Sequence, residues 1–340
     1  MGPRSPQSQR GKGSKTGVRS INTASTFSTR PGPHPFGYPP AAPQQLPVWV
    51  RAVPFIFLHL ACLGALVTGA PPLALALCGV TYFVRMFGIT GAYHRYFAHR
   101  SYKTSRPFQF VLAWLGCSAM QKGPLWWAAH HRQHHRFSDT DEDPHSPHAT
   151  SFWWSHVGWI LAPDHEETPT HVIRDWMRYP ELRWLDRLHW LPGIVLAVLC
   201  FLFGVWTGAG GWLCLVWGFV VSTVLLYHAV FAVNSLCHLF GSRRYDTRDD
   251  SRNNLLVAIL TLGEGWHNNH HHYQSSANQG FFWWEIDISY YIIRLFGLFG
   301  LVWDIRRPGA KALRHRGLKA QPLPTSATAE ADELVETEVG

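Results

Sequence analysis

Two stretches of this 340-residue chain, Ala52 to Val84 and Leu191 to Val233, contain no Lys, Arg, Asp or Glu. A helix that crosses a bilayer needs about 20 apolar residues, within a range of roughly 17–25. Each stretch is therefore long enough for two crossings. Each is also interrupted near its middle, by Thr68-Gly69-Ala70-Pro71-Pro72 in the first and Thr207-Gly208-Ala209-Gly210-Gly211 in the second. Gly and Pro at that density end helices and make tight turns. The pattern predicts two helical hairpins, hence four transmembrane helices in an all-α integral membrane protein. The alternative is a pair of buried core helices in a soluble protein. Composition argues against it, because charged residues are only 15% of the chain against a typical ~25%.

Charge gives the orientation. Residues 1–51 carry Arg4, Arg10, Lys12, Lys15, Arg19, Arg30 and Arg51 and no acidic residue. A basic arm suits nucleic acid or anionic lipid, and with apolar segments following directly the expected partner is membrane lipid, not nucleic acid. Two tight hairpins put both termini and the middle segment on one side, with Arg85, Arg95, Arg100 and Lys103, while the hairpin tips are uncharged. The positive-inside rule makes that side cytoplasmic. Pro107–Met120 and Trp283–Trp303 are apolar but short or interrupted, as expected of helices lying on the membrane surface. Residues 1–45, rich in Pro, Gly, Ser and Gln, read as a disordered arm and not a secretory signal. Residues 46–308 form the folded domain, and 309–340 read as a disordered tail. The cysteines Cys62, Cys78, Cys117, Cys200, Cys214 and Cys237 form no CxxC pair and read as small buried hydrophobes in a reducing compartment.

The 21 histidines are clustered on the predicted cytoplasmic side. An HxxxxH box holds His94 and His99, an HxxHH box holds His131, His134 and His135, an NxxxH box holds Asn234 and His238, and a second HxxHH box holds His267, His270 and His271. Positions i, i+3 and i+4 share a helix face, so each HxxHH triplet is expected to converge on one metal. Neutral imidazole suits Fe, Zn, Cu and Ni. These nine histidines exceed the capacity of one ion, and two metals with four or five ligands each would use them all. Asn234, one turn before His238, is placed to hold a metal-bound water. A single box is an ordinary surface histidine pair as easily as a site; four boxes on one face are not.

Other histidines read differently. His59 and His228 are lone histidines within spans, either haem ligands facing each other or satisfied core residues, the reading preferred here. His130 and His272 flank boxes out of phase. Glu142–His145 and Glu264–His267 have the Glu-x-x-His spacing of carboxylate di-iron bundles, but lack the further inward Glu pair and are taken as coincidental.

The boxes resemble the membrane fatty acid desaturases of the stearoyl-CoA (delta-9 acyl-CoA) desaturase type, including bacterial relatives. The resemblance runs from about Leu46 to Pro308. It is most specific at Gly91–His99, Phe137–His145, Ser155–Trp159, Tyr179–Asp186, Asn234–His238 and Glu264–His271. It implies that the nine histidines bind two Fe ions, that Asn234 holds a metal water, and that four spans carry a cytosolic helical cap over an acyl tunnel. An unactivated methylene offers nothing to acid–base or nucleophilic catalysis, so an oxidant made from O2 at a redox metal is required. Trp126, Trp127, Trp153, Trp154, Trp159 and Trp266 suit a dry channel. No dinucleotide or haem-attachment fingerprint is present, so electrons are expected from a separate donor such as a ferredoxin, a cytochrome b5-like protein or a flavoprotein reductase. Alternatives are a His-box membrane hydroxylase of alkane or carotenoid type and a non-enzymatic membrane metal or haem protein. By the same resemblance Gln121 and Trp127 occupy two of the three positions that kink the tunnel near carbon 9, and Val230 replaces a Thr at the third. The cations with which the acyl-CoA enzymes hold their head group are replaced by Ala129 (beside His130), Pro163 and Asp164. Phe231 replaces a Trp and Lys122 an Asn. Acyl-lipid or acyl-carrier esters are therefore expected as substrates beside the CoA ester.

Overall fold

A computed structural model describes Gly2 and residues 48–314; the expected arm and nearly all of the expected tail lie outside the described residues. The fold is mostly helical. We label α1 Val48–Thr68, α2 Pro72–Ala98, α3 Arg106–Cys117, α4 Pro124–Phe137, α5 Pro180–Arg187, α6 Leu191–Trp206, α7 Gly211–Leu239, α8 Leu255–Leu260, α9 His267–His272 and α10 Ile288–Leu298. Proline sits in the first turn of α2, α4, α5 and α6, where its missing N–H has no intrahelical partner to lose. The all-α expectation needs one amendment. β1, Lys103–Thr104, pairs antiparallel with β2, Val302–Trp303, and ties the start of α3 to the end of α10.

Among the described residues three helices, α1, α2 and α7, are long and apolar enough to cross a membrane, and α6 joins them only if it and α5, bent by 65° from it, count as one span. The breaks fall at the expected turns, with Gly69, Gly208 and Gly210 at positive φ. Apolar side chains face outward on these helices: Leu66, Val67 and Trp206 are more than 80% exposed. Such a surface needs a hydrocarbon environment, and the chain is accordingly a membrane protein. Where α2, α6 and α7 meet, Gly218 lets the backbones approach; a Cβ there would lie 2.8 Å from Leu77 and 2.9 Å from Cys200, the small-residue packing that membrane helices favour. Arg85 of α2 is buried at the same seam. It donates to Thr223 Oγ1 at 2.6 Å, to Ser222 Oγ and to the Thr81 carbonyl.

The last eleven residues of α2, Gly88–Ala98, are wound as π-helix, as are Trp154–Gly158 and Val216–Val221 within α7. Such windings usually last a single turn and concentrate at functional sites.

Candidate metal centre

The wide winding of α2 explains the HxxxxH spacing. In an α-helix positions i and i+5 lie about 140° apart and could not serve one ion. Here the chain closes an i→i+5 bond, His99 N–H to the His94 carbonyl at 3.2 Å, and the two rings come within 4.8 Å of each other. Nothing in the side-chain pattern announces this; the five-residue spacing is itself the signal.

The nine box histidines separate into two groups. His94, His99, His131, His135 and His270 form one, and His134, His238, His267 and His271 form the other. The expectation that each HxxHH triplet converges on one point is thereby corrected. Positions i and i+4 are only about 40° apart on a helix, while i+3 stands about 60° to the other side. His131 and His135 of α4 accordingly join the five-histidine group and His134 leaves for the other. On α9 the assignment is reversed: His267 and His271 join the four-histidine group and His270 crosses. Each box splits, and the two boxes are complementary.

Within the groups Nε2 atoms approach each other directly. The separations are 2.9 Å for His94–His270, His99–His131, His131–His135 and His135–His270, and 3.1 Å for His238–His267. A metal–nitrogen bond of about 2.1 Å places ligand atoms at right angles about 3.0 Å apart, so the spacing fits a shared ion. His271 Nε2 is buried without a protein partner, a lone pair with nothing else to bind. Burial first, then the neighbouring imidazoles, holds His99, His131, His135, His267 and His270 well below the ordinary histidine range. They are neutral and ready to ligate. His134 is the exception: burial, the largest single influence, would lower it, but the carboxylates of Asp143, Asp139 and Asp249 together raise it.

Carboxylates fix many of the rings from behind. His134 Nδ1 donates to Asp143 at 3.1 Å, His238 Nδ1 to Asp139 at 2.8 Å and His271 Nδ1 to Asp249 at 2.7 Å. Each leaves Nε2 free to point inward. Glu264 takes His94 Nδ1 and also Arg95, whose buried guanidinium reaches Asp287 at 2.8 Å. Gln279 lies 3.4 Å from His270 Nδ1 with its own Oε1 buried and unpartnered. The amide orientation in which Oε1 faces the imidazole gives His270 Nδ1 an acceptor. Sequence reading missed this layer. Its signal was present in Phe137–His145 and in the Glu264 that had been set aside as coincidental.

The remaining candidates fall as follows. Asn234 is half-buried on α7 one turn before His238. Trp127 stacks on His131 with ring centroids 4.8 Å apart. Gln121 is buried with its amide nitrogen unpartnered, and Val230 is half-buried on α7. Trp126, Trp159 and Trp266 are buried, but Trp153 is 71% exposed and lines no dry interior. His130 is pinned to the Trp126 carbonyl at 2.9 Å, and burial lowers it to about 4. His272 stacks on Tyr245 and donates to the Ala312 carbonyl. Neither enters a group, as their phase predicted. His145, unassigned by sequence, stacks on His134 at 4.3 Å.

His59 and His228 do face each other, but their Nε2 atoms are 3.0 Å apart. Two imidazoles on opposite faces of a haem iron stand about 4 Å apart, twice a metal–nitrogen bond of about 2.0 Å. The pair is spaced as a hydrogen bond and not as two axial haem ligands.

The chain matches the model of the fatty acid desaturase family over residues 70–294. It is 39% identical over 271 residues to the acyl-CoA 5-desaturase AL21 of Anemone leveillei, covering 77% of this chain and 80% of that one. It is 36% identical over 272 residues to the delta-9 acyl-lipid desaturase 1 of Arabidopsis thaliana (79% and 87%). With the sn-1 stearoyl-lipid 9-desaturase of Anabaena variabilis it shares 37% over 265 residues (76% and 93%). The chain belongs to the fatty acid desaturase family and is a fatty acid desaturase enzyme.

Proposed function

We propose that the chain is a four-span membrane enzyme whose two histidine groups hold two irons on the cytoplasmic side, and that it uses O2 to place a double bond at or near carbon 9 of a lipid-linked acyl chain. The observation that carries this reading is the division of nine histidines into groups of five and four with Nε2 atoms turned inward. The bent α5–α6 pair supplies the fourth span, so that two hairpins return both termini to the side of the cap.

The reaction removes one hydrogen from each of two adjacent methylenes. Together with two electrons and two protons from outside, these hydrogens reduce O2 to two waters. Bound iron supplies the oxidant that breaks the C–H bonds. The chain's own residues hold the imidazoles in position through Asp139, Asp143, Asp249 and Glu264 and keep water out with the buried Trp126, Trp159 and Trp266. Trp127, against His131, Gln121 and Val230 shape the acyl path. Electrons come from a separate donor of ferredoxin, cytochrome b5-like or flavoprotein kind.

A lipid ester is favoured over the CoA ester because two of the three nearby cations, Arg132 and Lys122, are already engaged, leaving Arg136 over the Phe137 ring. All the N–H groups of Arg132 have acceptors: the Ala98, Phe97 and Val172 carbonyls and both oxygens of Asp175. Lys122 pairs with Glu166 at 3.5 Å and lies over Trp126. A polyanionic head group would have to compete with these acceptors for Arg132 and Lys122 or rely on Arg136. Two of the relatives above are acyl-lipid desaturases by name, and a third is an acyl-CoA enzyme.

The test is expression in a host without its own desaturase, metal analysis of the purified chain, and mass-spectrometric location of the product bond. Stearoyl-phospholipid, stearoyl-carrier protein and stearoyl-CoA are then supplied side by side. About two irons per chain, an alkene near carbon 9 and turnover of the lipid ester are expected. An alcohol product would instead make the enzyme a hydroxylase. Turnover of the CoA ester alone would overturn the head-group assignment.

A further inference from the structure

The two histidine groups are backed very differently. Behind the four-histidine group stand three carboxylates, Asp139, Asp143 and Asp249, each receiving the Nδ1–H of a different ligand at 2.7–3.1 Å. Each of these aspartates lies against a histidine ring nitrogen: Asp143 against His134 and His145, Asp139 against His238, Asp249 against His271. The five-histidine group has one such carboxylate, Glu264 behind His94, and Arg95 bonds to the same Glu264 at 2.9 Å. Its other named support, Gln279 beside His270, is neutral.

An anionic partner makes an imidazole a stronger donor to its metal, and buried negative charge stabilises the more highly charged ion where screening is weak. Three carboxylates bonded directly to ligand imidazoles on one side, and one on the other whose neighbouring Arg95 is shared with Asp287, make the two positions electrostatically unequal. We infer that Asp139, Asp143 and Asp249 are positioning residues for one metal only, and that when the pair of irons is oxidised by one electron the ferric ion resides in the four-histidine group. This rests on the di-iron reading above. The one-electron step is Fe(II)Fe(II) to Fe(II)Fe(III), with the electron taken by an added outer-sphere oxidant such as ferricyanide.

The experiment uses the full chain loaded with 57Fe, reduced, then treated with one equivalent of ferricyanide and examined by Mössbauer spectroscopy. A wild-type chain that does not hold two irons would fail the di-iron reading and not this inference. Given two irons, one ferrous and one ferric signal in equal amounts are expected. Asp249→Asn keeps an acceptor oxygen for His271 and removes the charge, so it should shift the ferric signal and leave the ferrous one in place. Gln279→Leu, on the other side, should move only the ferrous signal. The reverse pattern, or a ferric signal unmoved in both Asp249→Asn and Asp143→Asn, overturns the inference. Should a variant retain one iron, that iron is expected to show the parent's ferrous parameters, from the five-histidine group; retention of the parent's ferric parameters is the overturning result.

Discussion

Two sets of histidines in this molecule have rings in close contact, and only one of them brings its ligand atoms together as a metal site would. In the first, Nε2 atoms from α2 and the residue after it, α4, α7 and α9 converge on two points while the Nδ1 atoms of several of these histidines are committed outward to carboxylates. In the membrane-level set, His228 lies between two others and spends both nitrogens on them, Nε2 toward His59 at 3.0 Å and Nδ1 toward His156 at 3.0 Å. His156 continues to Ser235 Oγ at 2.9 Å, and His59 Nδ1 donates to the Phe55 carbonyl at 2.7 Å. That is a chain of hydrogen bonds, with no single point on which three lone pairs meet. The lesson is that convergence of ligand atoms, not closeness of rings, separates a metal centre from a polar tie between helices.

The sharpest way to break the comparison is to remove a converging ligand. His135→Ala or His270→Ala opens the five-histidine group and releases its neighbours. Desaturation should fall by more than about 100-fold, with loss of bound metal. Unsaturated lipid in a desaturase-free host and metal content of the purified variant measure both. Full activity in either variant would refute the site. A step smaller, Asp143→Asn leaves every ligand in place and loosens one ring. Metal affinity should fall by about 10–100-fold, read as faster loss to a chelator.

The sequence showed the histidine site and its helices unevenly. The helix breaks at Thr68–Pro72 and Thr207–Gly211 were legible because Gly and Pro act locally, and the nine histidines because they fall in short recurring spacings. Their division into five and four was not legible, since it depends on how α4 and α9 are rotated about their axes, a tertiary quantity. The π-winding at His94–His99 was hidden because hydrophobic patterning carries no mark of it. Asp143 and Asp249 could be quoted as motif or neighbouring residues without a role, because a carboxylate finds its histidine through a fold of the chain. The membrane-level histidines were read as satisfied core residues. His59 and His228 are indeed hydrogen-bonded, but His228 is exposed, and their third member, His156, was missed.

Protonation offers a middle-sized effect outside both sets. His130 is buried neutral, its affinity for a proton lowered to about 4 from an ordinary value near 6.5. The unfolded chain takes that proton at higher pH than the folded one, so stability is fully present above about 6.5 and lost as pH falls toward about 4. His130→Gln should flatten the acid side of the stability profile, measured by thermal melting across that window, and leave metal content unchanged. An unaltered slope would remove His130 from the acid response.

The smallest effect belongs to the membrane-level histidines, and it tests the comparison from the other side. If the His59–His228–His156 chain only ties α1, α7 and the Trp154–Gly158 segment together, His59→Ala removes one link at the lipid-facing end. A hydrogen bond of this kind contributes about 0.5–1.5 kcal/mol, less where the freed group is not deeply buried, as at the exposed His228. His59→Ala should therefore melt slightly earlier, retain the metal content of the parent and desaturate within about twofold of it, a change of about 0.4 kcal/mol in apparent barrier. His228→Ala cuts two links, removing the hydrogen bonds to both His59 and His156, so its loss of stability should be the larger of the two. Melting temperature, metal content and product yield on the same preparations separate the cases. Loss of a metal ion from His59→Ala would mean that two imidazoles with Nε2 atoms 3.0 Å apart hold a cation after all, and convergence would no longer distinguish the two sets.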